Sequence, residues 1–392
     1  STLLASSAAS DVYKRQHMDP TYIQGVSSNS IFLSQNIPNI LVNKYNLSQA
    51  ANNFCLHINE MNFFSLHIAI PPGCVDGSFK SFTEKSTGIE YHLCRPFKHQ
   101  RLGKAINILF DNLWLYHRVS KTKEQNVWFY NVWTGNILSY LLIRFLSHKN
   151  TFILLADYNP MRYNNKIGKI LLWAIKKAHG VISLSARCYE VNTNFKTIPG
   201  IIPDRKINKN PSVFHANKSF LLSGTLNANT GLLLALDVFK NIPEAKLYLS
   251  GKLDKNNSKI VEEYAHKYPN IIYKGFYEKF DDYIHLLQSI DYTLSLRNPN
   301  SPVNHYNFPS KILETLAYNK IVISTVKYPE LDKINYIVVP YSEIDLRESI
   351  KKIIDEGEST RIKQCLNNTN ILKIKYTETA WIKAFHEMEI NK

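Results

Sequence analysis

The sequence of 392 residues contains few cysteines, and their placement argues against several kinds of site. Its five cysteines are widely separated, and none forms a Cys-x-x-Cys pair. Because zinc sites and disulfide-rich folds need cysteines at short, regular spacings, the pattern indicates reduced thiols in a cytosolic protein. The spacings of His57, His67, His92 and His99 also fit no common set of ligands, so no metal site is expected.

Long apolar runs are absent as well. The longest, Ile137 to Leu146 and Ile170 to Ile175, are far shorter than the roughly 20 apolar residues that span a bilayer. We therefore expect no membrane-spanning segment. The stretch from Leu102 to His117 predicts an amphipathic helix, which either lies on an anionic membrane face or packs into the core.

Acidic residues are outnumbered by basic ones. The chain has 47 Lys and Arg residues against 32 Asp and Glu, a formal net charge of +15. Between Lys80 and Lys177 it contains sixteen basic and five acidic residues. Nucleic acid, an acidic bilayer surface and a pyrophosphate-linked lipid are all anionic partners for such a surface, and a solvated basic face is the alternative. Because no helix-turn-helix, RNA-recognition or zinc-finger pattern occurs, nucleic acid is an unfavoured partner.

The length of the chain predicts two domains, because one hydrophobic core rarely serves so many residues. Residues 1–16 are rich in Ser and Ala, lack an initiator Met and resemble a translated adapter, so we exclude them from the fold. We expect an N-terminal domain over residues 17–203 and a C-terminal domain over residues 204–376, with a polar linker at their junction. A helix within residues 377–392 is expected to pack back across this junction.

Short apolar strands alternate with amphipathic helices in both predicted domains, which is typical of parallel βαβ units. The expected strands of the first are Phe63 to Ile70, Ile89 to Cys94, Asn126 to Tyr130, Thr151 to Ala156 and Gly180 to Leu184. Those of the second are Ser219 to Ser223, Lys246 to Ser250, Asn270 to Lys274, Asp291 to Leu296 and Ile321 to Thr325. Two doubly wound sheets predict a shared cleft at the carboxyl ends of their strands.

The most informative stretch runs from Asn307 to Thr325, with the sequence NFPSKILETLAYNKIVIST. Ser310 is predicted to cap a helix, and free amides at a helix start bind anions. The inner face of this helix is expected to consist of Ile312, Leu313, Leu316 and Ala317. Lys311 lies in the first turn, where the helix dipole disfavours a positive charge, and this placement indicates a bound phosphate. An ordinary capped helix is the alternative.

This stretch resembles the donor-site motif of family 4 glycosyltransferases of the GT-B architecture, in the variant F-P-S-K-x-x-E-x-L-A of bacterial capsule and O-antigen enzymes. The resemblance implies that Ser310 and Lys311 hold the diphosphate of a nucleotide sugar and that Glu314 binds its ribose. It also implies an α/β fold of two doubly wound, Rossmann-like domains facing across a cleft. The N-terminal domain would then bind the acceptor and the C-terminal domain the donor.

Three further segments of the second half are similar to the same family. Leu222 to Leu226 looks like its Ser-Gly-x-Leu turn, Tyr248 to Lys252 like its next glycine turn, and Gly275 to Tyr277 like the segment that frames the base. The donor-binding residues implied by the resemblance are Gly224, Thr225, Gly251, Lys252, Phe276, Arg297, Phe308, Ser310, Lys311 and Glu314.

The chain departs from the family in the first of these turns. Many relatives carry an Arg and a Lys there, where this chain has Thr225 and Thr230. The charge of the phosphates would then be met by Lys311, together with Arg297 or Lys252.

A second departure is Tyr306, which stands where the family often has a first Glu. The resemblance implies transfer with retention of configuration, but Tyr306 leaves the sugar-contacting side and the stereochemistry open. No Asp-x-Asp sequence occurs, which argues against the cation-dependent mode of the other large glycosyltransferase fold. We therefore expect no cofactor and no metal, only the nucleotide-sugar donor.

In the first half the resemblance is fainter. The segment from Leu154 to Pro160 looks like the strand end at which the family carries an acidic or His residue. Asp157 would there contact the acceptor hydroxyl and form, with Lys311, the expected catalytic pair, although an Asp that only caps a loop is equally compatible. Tyr130 and Asn131, which follow another strand, are expected on the acceptor side with the same alternative.

The expected function is transfer of a hexosyl group from a nucleotide-diphosphate sugar to a lipid-linked or glycan acceptor in envelope polysaccharide synthesis. The expected location is the cytoplasm, with the anionic inner face of the plasma membrane as a further partner. A sugar-nucleotide epimerase, a non-catalytic scaffold of the same architecture and a nucleic-acid-binding protein are the alternatives.

Overall fold

The computed structural model describes residues 29–38, 49–71, 81–93, 101–203, 207, 218–277, 279–355 and 358–391. The excluded residues 1–16 and most of the expected linker lie outside these ranges, as do Cys74, Cys94 and His99. Of the other cysteines, Cys55, Cys188 and Cys365 are buried free thiols.

Helices alternate with strands over most of the described ranges. The α-helices are α1 (Gln49–Glu60), α2 (Arg101–Ser120), α3 (Ile137–Phe145), α4 (Lys166–Lys177), α5 (Leu232–Phe239), α6 (Lys255–Lys267), α7 (Phe280–Gln288), α8 (Pro302–Tyr306), α9 (Lys311–Ala317), α10 (Glu343–Asp355), α11 (Glu358–Lys375) and α12 (Glu378–Ile390). The strands are β1 (Ser30–Ser34), β2 (Leu66–Ala69), β3 (Phe82–Thr83), β4 (Glu90–Tyr91), β5 (Asn126–Tyr130), β6 (Asn150–Leu155), β7 (Gly180–Ser183), β8 (Phe195–Thr197), β9 (Ser219–Thr225), β10 (Lys246–Lys252), β11 (Ile271–Tyr273), β12 (Tyr292–Ser295), β13 (Ile321–Ser324) and β14 (Ile337–Val338).

The first sheet has eight strands in the order β3-β4-β2-β1-β5-β6-β7-β8. β1 pairs in parallel with both β2 and β5, and all five residues of β1 are buried. One pair of strands differs from the expected parallel βαβ units: β3 and β4 are antiparallel and form a hairpin. Its turn closes at Gly88, which has a φ of 72° and donates its amide to the carbonyl of Glu84 at 2.8 Å. The expected strand from Ile89 to Cys94 is therefore only two residues long.

The second sheet has six strands in the order β11-β10-β9-β12-β13-β14, and its pairings are parallel. Side chains along β9 alternate between two cores: Phe220 packs with residues of α5, and Leu221 with residues of α7. Both faces are thus covered, as a parallel sheet requires. The chain runs from β9 outward to β11 and returns to the other side of β9 as β12, so the order reverses between β9 and β12. In doubly wound sheets such a reversal marks the place where ligands bind, at the carboxyl ends of the strands.

The chain divides into two compact units, Ser1–Tyr130 with Leu138–Phe152 and Asn131–Ile137 with Ile153–Lys392. The domain boundaries expected from the sequence stay a prediction. In the second unit the C-terminal helix α12 contacts β7, and the indole of Trp381 donates to the carbonyl of Gly200 at 2.9 Å.

The amphipathic helix predicted over Leu102 to His117 forms as α2, but packing of its apolar stripe into the core is the wrong alternative. Four of its apolar side chains are exposed: Leu102, Leu109, Phe110 and Leu113. Its buried face carries the polar residues Asn107, Asp111 and Asn112 next to the apolar Leu115 and Val119. Part of this face is held by a polar contact, since Asn112 accepts the amide of Ser139 in α3 at 2.7 Å. Among the described residues, no helix is long and apolar enough to cross a bilayer.

Candidate functional site

Two glycines lie side by side where β9 and β10 end. Gly224 and Gly251 are register partners, with φ values of 115° and 152°. A Cβ atom on Gly251 would overlap the carbonyl oxygen of Gly224, so no other residue fits without moving the backbone. The two strands can therefore approach this closely only through glycine, which leaves bare backbone at the carboxyl edge of the sheet.

The side chain of Lys311 lies over this glycine pair. A Cβ atom on Gly224 would stand 3.6 Å from Lys311 Cε and 3.8 Å from its Nζ. The ammonium is also 4.8 Å from the centre of the Tyr283 ring, a distance at which a cation is attracted to the ring face. The structure thus brings together Lys311 and Gly224, which are 87 positions apart in the sequence and were both predicted to contact the donor.

Lys311 is exposed at the surface, yet the surrounding protein lowers the pKa of its ammonium below 10.5 by removing part of its hydration. The carboxylate of Glu314, one turn along α9, acts in the opposite direction. A cation held in this way is suited to receive an anion.

Tyr283 of α7 is the residue whose ring contacts the Lys311 ammonium. Its ring is buried, and its hydroxyl lies 3.1 Å from the hydroxyl of Ser223, next to Gly224. Burial raises the pKa of Tyr283, and the nearby Glu314 carboxylate raises it further, so the phenol stays neutral. Tyr283 therefore contacts both Ser223 near the end of β9 and Lys311 of α9, and so helps to position the ammonium over the glycines.

The start of α9 differs from the expectation in one respect. Ser310 has helical φ and ψ angles of −55° and −24°, and its side chain makes no capping hydrogen bond. A capping residue needs an extended backbone, which Ser310 lacks because the chain already turns at Pro309, whose carbonyl accepts the amide of Ile312. The hydroxyl of Ser310 is exposed instead. The predicted inner face of the helix is confirmed, since Ile312, Leu313, Leu316 and Ala317 are all buried.

Lys252 and Thr225 continue the two strand ends past the glycines as register partners. The ammonium of Lys252 lies 4.8 Å from the centre of the Phe276 ring, which is itself exposed. Thr225 is exposed as well. These three predicted donor residues therefore form a second group, which carries one further positive charge.

Arg297 and Phe308 have different surroundings from the rest of the predicted set. Arg297 is half-buried and donates to the side chain of Asn304 at 3.2 Å, and burial lowers the pKa of its guanidinium. Phe308 is buried in the core formed with α9, where its ring meets that of Tyr328 at 5.3 Å. Phe308 thus contributes to the position of the motif through packing.

On the predicted acceptor side, Asp157 is exposed after β6. Crowding by the protein raises the pKa of its carboxyl above 3.8, while Arg162 opposes the shift. Asn131 holds this segment in place: with a φ of 57°, its side-chain oxygen accepts the amides of Ala156 at 2.8 Å and Asp157 at 3.4 Å. The side chain of Asn131 is therefore engaged with backbone.

Tyr130, the third residue predicted on this side, is buried at the end of β5. Its ring lies 6.0 Å from that of Phe54. A buried ring with an aromatic neighbour is the ordinary behaviour of a core residue.

The residues just ahead of the motif contact the segment that carries Asp157. The amide of Tyr158 donates to the side chain of Asn307 at 3.3 Å, and the Tyr158 ring meets that of Tyr306 edge-on at 5.4 Å. Arg187, in the turn that follows β7, donates to the carbonyls of His305 at 2.9 Å and Lys327 at 2.8 Å and so holds a different segment against the same region. Both predicted catalytic residues thus belong to segments that are tied together.

Two of the histidines considered for metal binding are engaged with other side chains. His67 lies 2.7 Å from the hydroxyl of Ser34 and 2.9 Å from the side chain of Asn59, and burial lowers its pKa to about 3. His92 stacks on Trp114 with ring centres 3.9 Å apart. Within the described ranges, no group of three or more His, Cys, Asp or Glu side chains could hold a metal ion.

No protein-family model matches the chain, and no curated protein matches it in sequence. Solved structures are similar to it in fold. HepE of Anabaena, crystallised with UDP and glucose, is 13% identical with a TM-score of 0.64, over 92% of this chain and 98% of its own. A glycosyltransferase from Rickettsia africae is 13% identical with a TM-score of 0.66, over 94% and 98%. WaaB, a lipopolysaccharide outer core galactosyltransferase, is 12% identical with a TM-score of 0.62, over 92% and 99%.

The chain has the GT-B fold. This confirms the fold predicted from the sequence, over more than nine-tenths of the chain. At identities this low, the likeness concerns the fold alone. In this GT-B chain the sequence motif and the point of strand reversal coincide, because Gly224 lies near the carboxyl end of β9, next to the reversal, and Lys311 reaches it from α9.

Sequence reasoning missed two features of this GT-B site. Tyr283 lies in the apolar pattern of α7, which gives no signal beyond ordinary packing. The links made by Tyr158, Asn307 and Arg187 join residues far apart in the chain, and only the folded structure brings them together.

Proposed function

We propose that the protein is a glycosyltransferase that moves a sugar from a nucleotide-diphosphate donor to an acceptor hydroxyl. The observation that carries the proposal is the position of the Lys311 ammonium over the glycine pair at the carboxyl ends of β9 and β10. A diphosphate at this place would contact bare backbone on one side and a positive charge on the other. The solved GT-B structures, one of them crystallised with UDP and glucose, support the same class of donor.

The reaction needs a stabilised leaving group. The bond between the anomeric carbon and the β-phosphate oxygen breaks, the electron pair stays on that oxygen, and the sugar becomes oxocarbenium-like. Lys311 and the exposed Ser310 hydroxyl stabilise the growing negative charge, which lowers the barrier because the charge is met by groups already in place. The acceptor oxygen bonds to the anomeric carbon, its proton passes to the departing diphosphate, and the configuration is retained.

Glu314 and Asp157 have the two positioning roles. Glu314 accepts from the ribose hydroxyls, which sets the register of the nucleotide along α9. Asp157 accepts a hydrogen bond from the acceptor hydroxyl and orients it. The contacts of Tyr158 with Tyr306 and Asn307 support this role, because they tie the Asp157 segment to the donor motif.

We further propose a hexosyl donor and an acceptor that is a glycan or a lipid-linked sugar of the cell envelope, as in the family 4 enzymes that the motif resembles. Two observations support this class: the F-P-S-K-x-x-E pattern, and the GT-B likeness to a lipopolysaccharide galactosyltransferase. The basic character of residues 80–177 suits an acceptor that carries a pyrophosphate.

The test is release of nucleoside diphosphate from candidate sugar donors by Lys311→Ala. We expect a loss of at least about 100-fold in turnover, since removing one such contact in other enzymes costs about that much. Lys255→Ala, at an exposed lysine of α6, is the matched control and should stay within about twofold of the parent. Turnover of Lys311→Ala within about threefold of the parent would show that the donor lies elsewhere.

A further inference from the structure

The outer face of α4 carries large apolar side chains that are exposed. The inner face of this helix is complete without them, because Leu171, Ala174 and Ile175 are buried. Pointing outward are Ile167, exposed by 55%, Ile170, exposed by 48%, and Trp173, exposed by 42%. Residues three apart in a helix lie on the same face, so these side chains form one stripe.

The stripe continues into the short 3₁₀ turn Pro160–Tyr163 ahead of the helix. Met161 in this turn is exposed by 65%. A Cβ atom on Gly168 would overlap the carbonyl oxygen of Arg162, so the turn and the helix are in backbone contact and keep a fixed arrangement. We call Met161, Arg162 and the exposed residues of α4 the α4 surface.

Positive charge surrounds the stripe. Four lysines of α4 are exposed, Lys166, Lys169, Lys176 and Lys177, and Arg162 is exposed beside Met161. The sequence of the helix, KIGKILLWAIKK, contains no acidic residue. Lysine side chains can lay their apolar stems along an apolar surface while the ammonium groups remain in the polar layer above it.

We propose that the α4 surface docks the protein onto an anionic lipid bilayer. The lysines match the charge of acidic headgroups, and Met161, Ile167 and Ile170 enter the boundary between headgroups and acyl chains. A protein partner fits this surface less well, because protein interfaces are depleted in lysine. A nucleic acid would meet the lysines but leave the aliphatic side chains without a partner. The inference does not depend on the donor site and adds a surface to the proposed function.

The experiment measures binding of the full chain to phosphatidylcholine vesicles with and without phosphatidylglycerol, by sedimentation. The parent should bind only the vesicles that contain phosphatidylglycerol, and binding should weaken as salt is added. Ile167→Glu with Ile170→Glu should lower the partition coefficient at least about tenfold, because charged side chains replace the apolar residues that enter the bilayer.

Control variants that change the same residue types elsewhere distinguish binding through the α4 surface from non-specific adsorption to the vesicles. Ile344→Glu with Ile374→Glu changes two exposed isoleucines of α10 and α11 and should leave binding within about twofold. A fourfold Lys→Gln change at Lys166, Lys169, Lys176 and Lys177 should weaken binding at least about tenfold. The same change at four exposed lysines of α6 and α10 removes equal charge and should have a much smaller effect: Lys255, Lys259, Lys351 and Lys352.

Four results would overturn the proposal. The first is absence of binding to phosphatidylglycerol vesicles. The second is equal weakening by the control lysine set, which would mean that net charge alone drives adsorption. The third is loss of binding in Leu109→Glu with Leu113→Glu on α2 while the α4 variants still bind. The fourth is tighter binding to duplex nucleic acid than to the vesicles, abolished by the lysine changes and unaffected by those at Ile167 and Ile170.

Discussion

Lys311 and Asp157 share a property that bears on how the site would work. Each is exposed, yet the surrounding protein shifts its pKa against the charged form: downward for the ammonium and upward for the carboxyl. Charges held in this way make the empty protein less stable than it could be. Function is the usual reason that such groups are retained, since a ligand supplies the missing counter-charge or hydrogen bond.

The lowered pKa of Lys311 predicts a pH dependence of donor binding. A diphosphate binds the protonated ammonium, so its affinity is full at neutral pH. The affinity falls as the pH rises through the pKa of Lys311, which lies below 10.5. Titration calorimetry with a nucleoside diphosphate between neutral and alkaline pH measures this fall. Lys311→Met should bind weakly and show no such slope. An equal slope in both proteins would assign the effect to another group.

Asp157→Asn should separate activity from stability. The carboxyl has a raised pKa in the folded protein, so its ionisation disfavours folding at every pH above its unfolded value, and the amide removes that cost. We expect turnover to fall at least about tenfold while the unfolding temperature stays equal or rises. Asp254→Ala is a control in which stability should fall and turnover should not. Asp254 caps α6 by accepting the amides of Asn256 and Asn257, and loss of this cap costs about 1 kcal/mol. A destabilised Asp157→Asn with normal turnover would make Asp157 a structural residue.

At the scale of elements, the paired ends of β9 and β10 are the most restrictive feature of the site. Gly251→Ala places a methyl group on the carbonyl oxygen of Gly224, whereas Gly275→Ala meets nothing within 4 Å. Both glycines have positive φ values, so both variants carry backbone strain of about 1 kcal/mol or more, and only Gly251→Ala adds the overlap. Urea unfolding should show Gly251→Ala destabilised by at least about 2 kcal/mol more than Gly275→Ala. Equal losses would mean that the strand ends are not packed as described.

Much of the second sheet could be predicted from the sequence, and the reason is local. Its strands are buried apolar runs between amphipathic helices, so β9 to β13 were each predicted within two residues at either end. The hairpin of β3 and β4 was missed because strands of two residues leave no periodic pattern. Ser310 does stand at the N-cap position of α9, as predicted, but its side chain makes no capping hydrogen bond, because the sequence does not reveal that Pro309 already starts the turn.

The residues of the candidate site also divide into those that a local sequence pattern reveals and those that it does not. Residues within one motif, such as Ser310, Lys311 and Glu314, could be singled out from their spacing and resemblance. Tyr283 and Asn307 could not, because their importance comes from contacts with residues that are remote in the sequence. Tyr130 and Phe308 show the converse, since position after a strand or inside a motif does not distinguish a ligand contact from a buried ring.

For the molecule as a whole, the GT-B fold joins an eight-stranded sheet with one antiparallel hairpin and a parallel six-stranded sheet in one chain, and the sequence motif lies beside the strand reversal of the second. The donor site is the feature on which the proposed function depends, and it can be tested without knowing the acceptor.

The most direct test is thermal unfolding of the purified protein with UDP, GDP, CDP, dTDP and their common sugars. A ligand at 100 times its dissociation constant stabilises the folded state by about 2.7 kcal/mol, which is a measurable rise in unfolding temperature. We predict such a rise with one nucleotide base, lost in Lys311→Ala and Glu314→Ala and kept in Lys255→Ala. No rise with any of these nucleotides at several millimolar, or an equal rise in Lys311→Ala, would contradict a nucleotide-sugar site at α9.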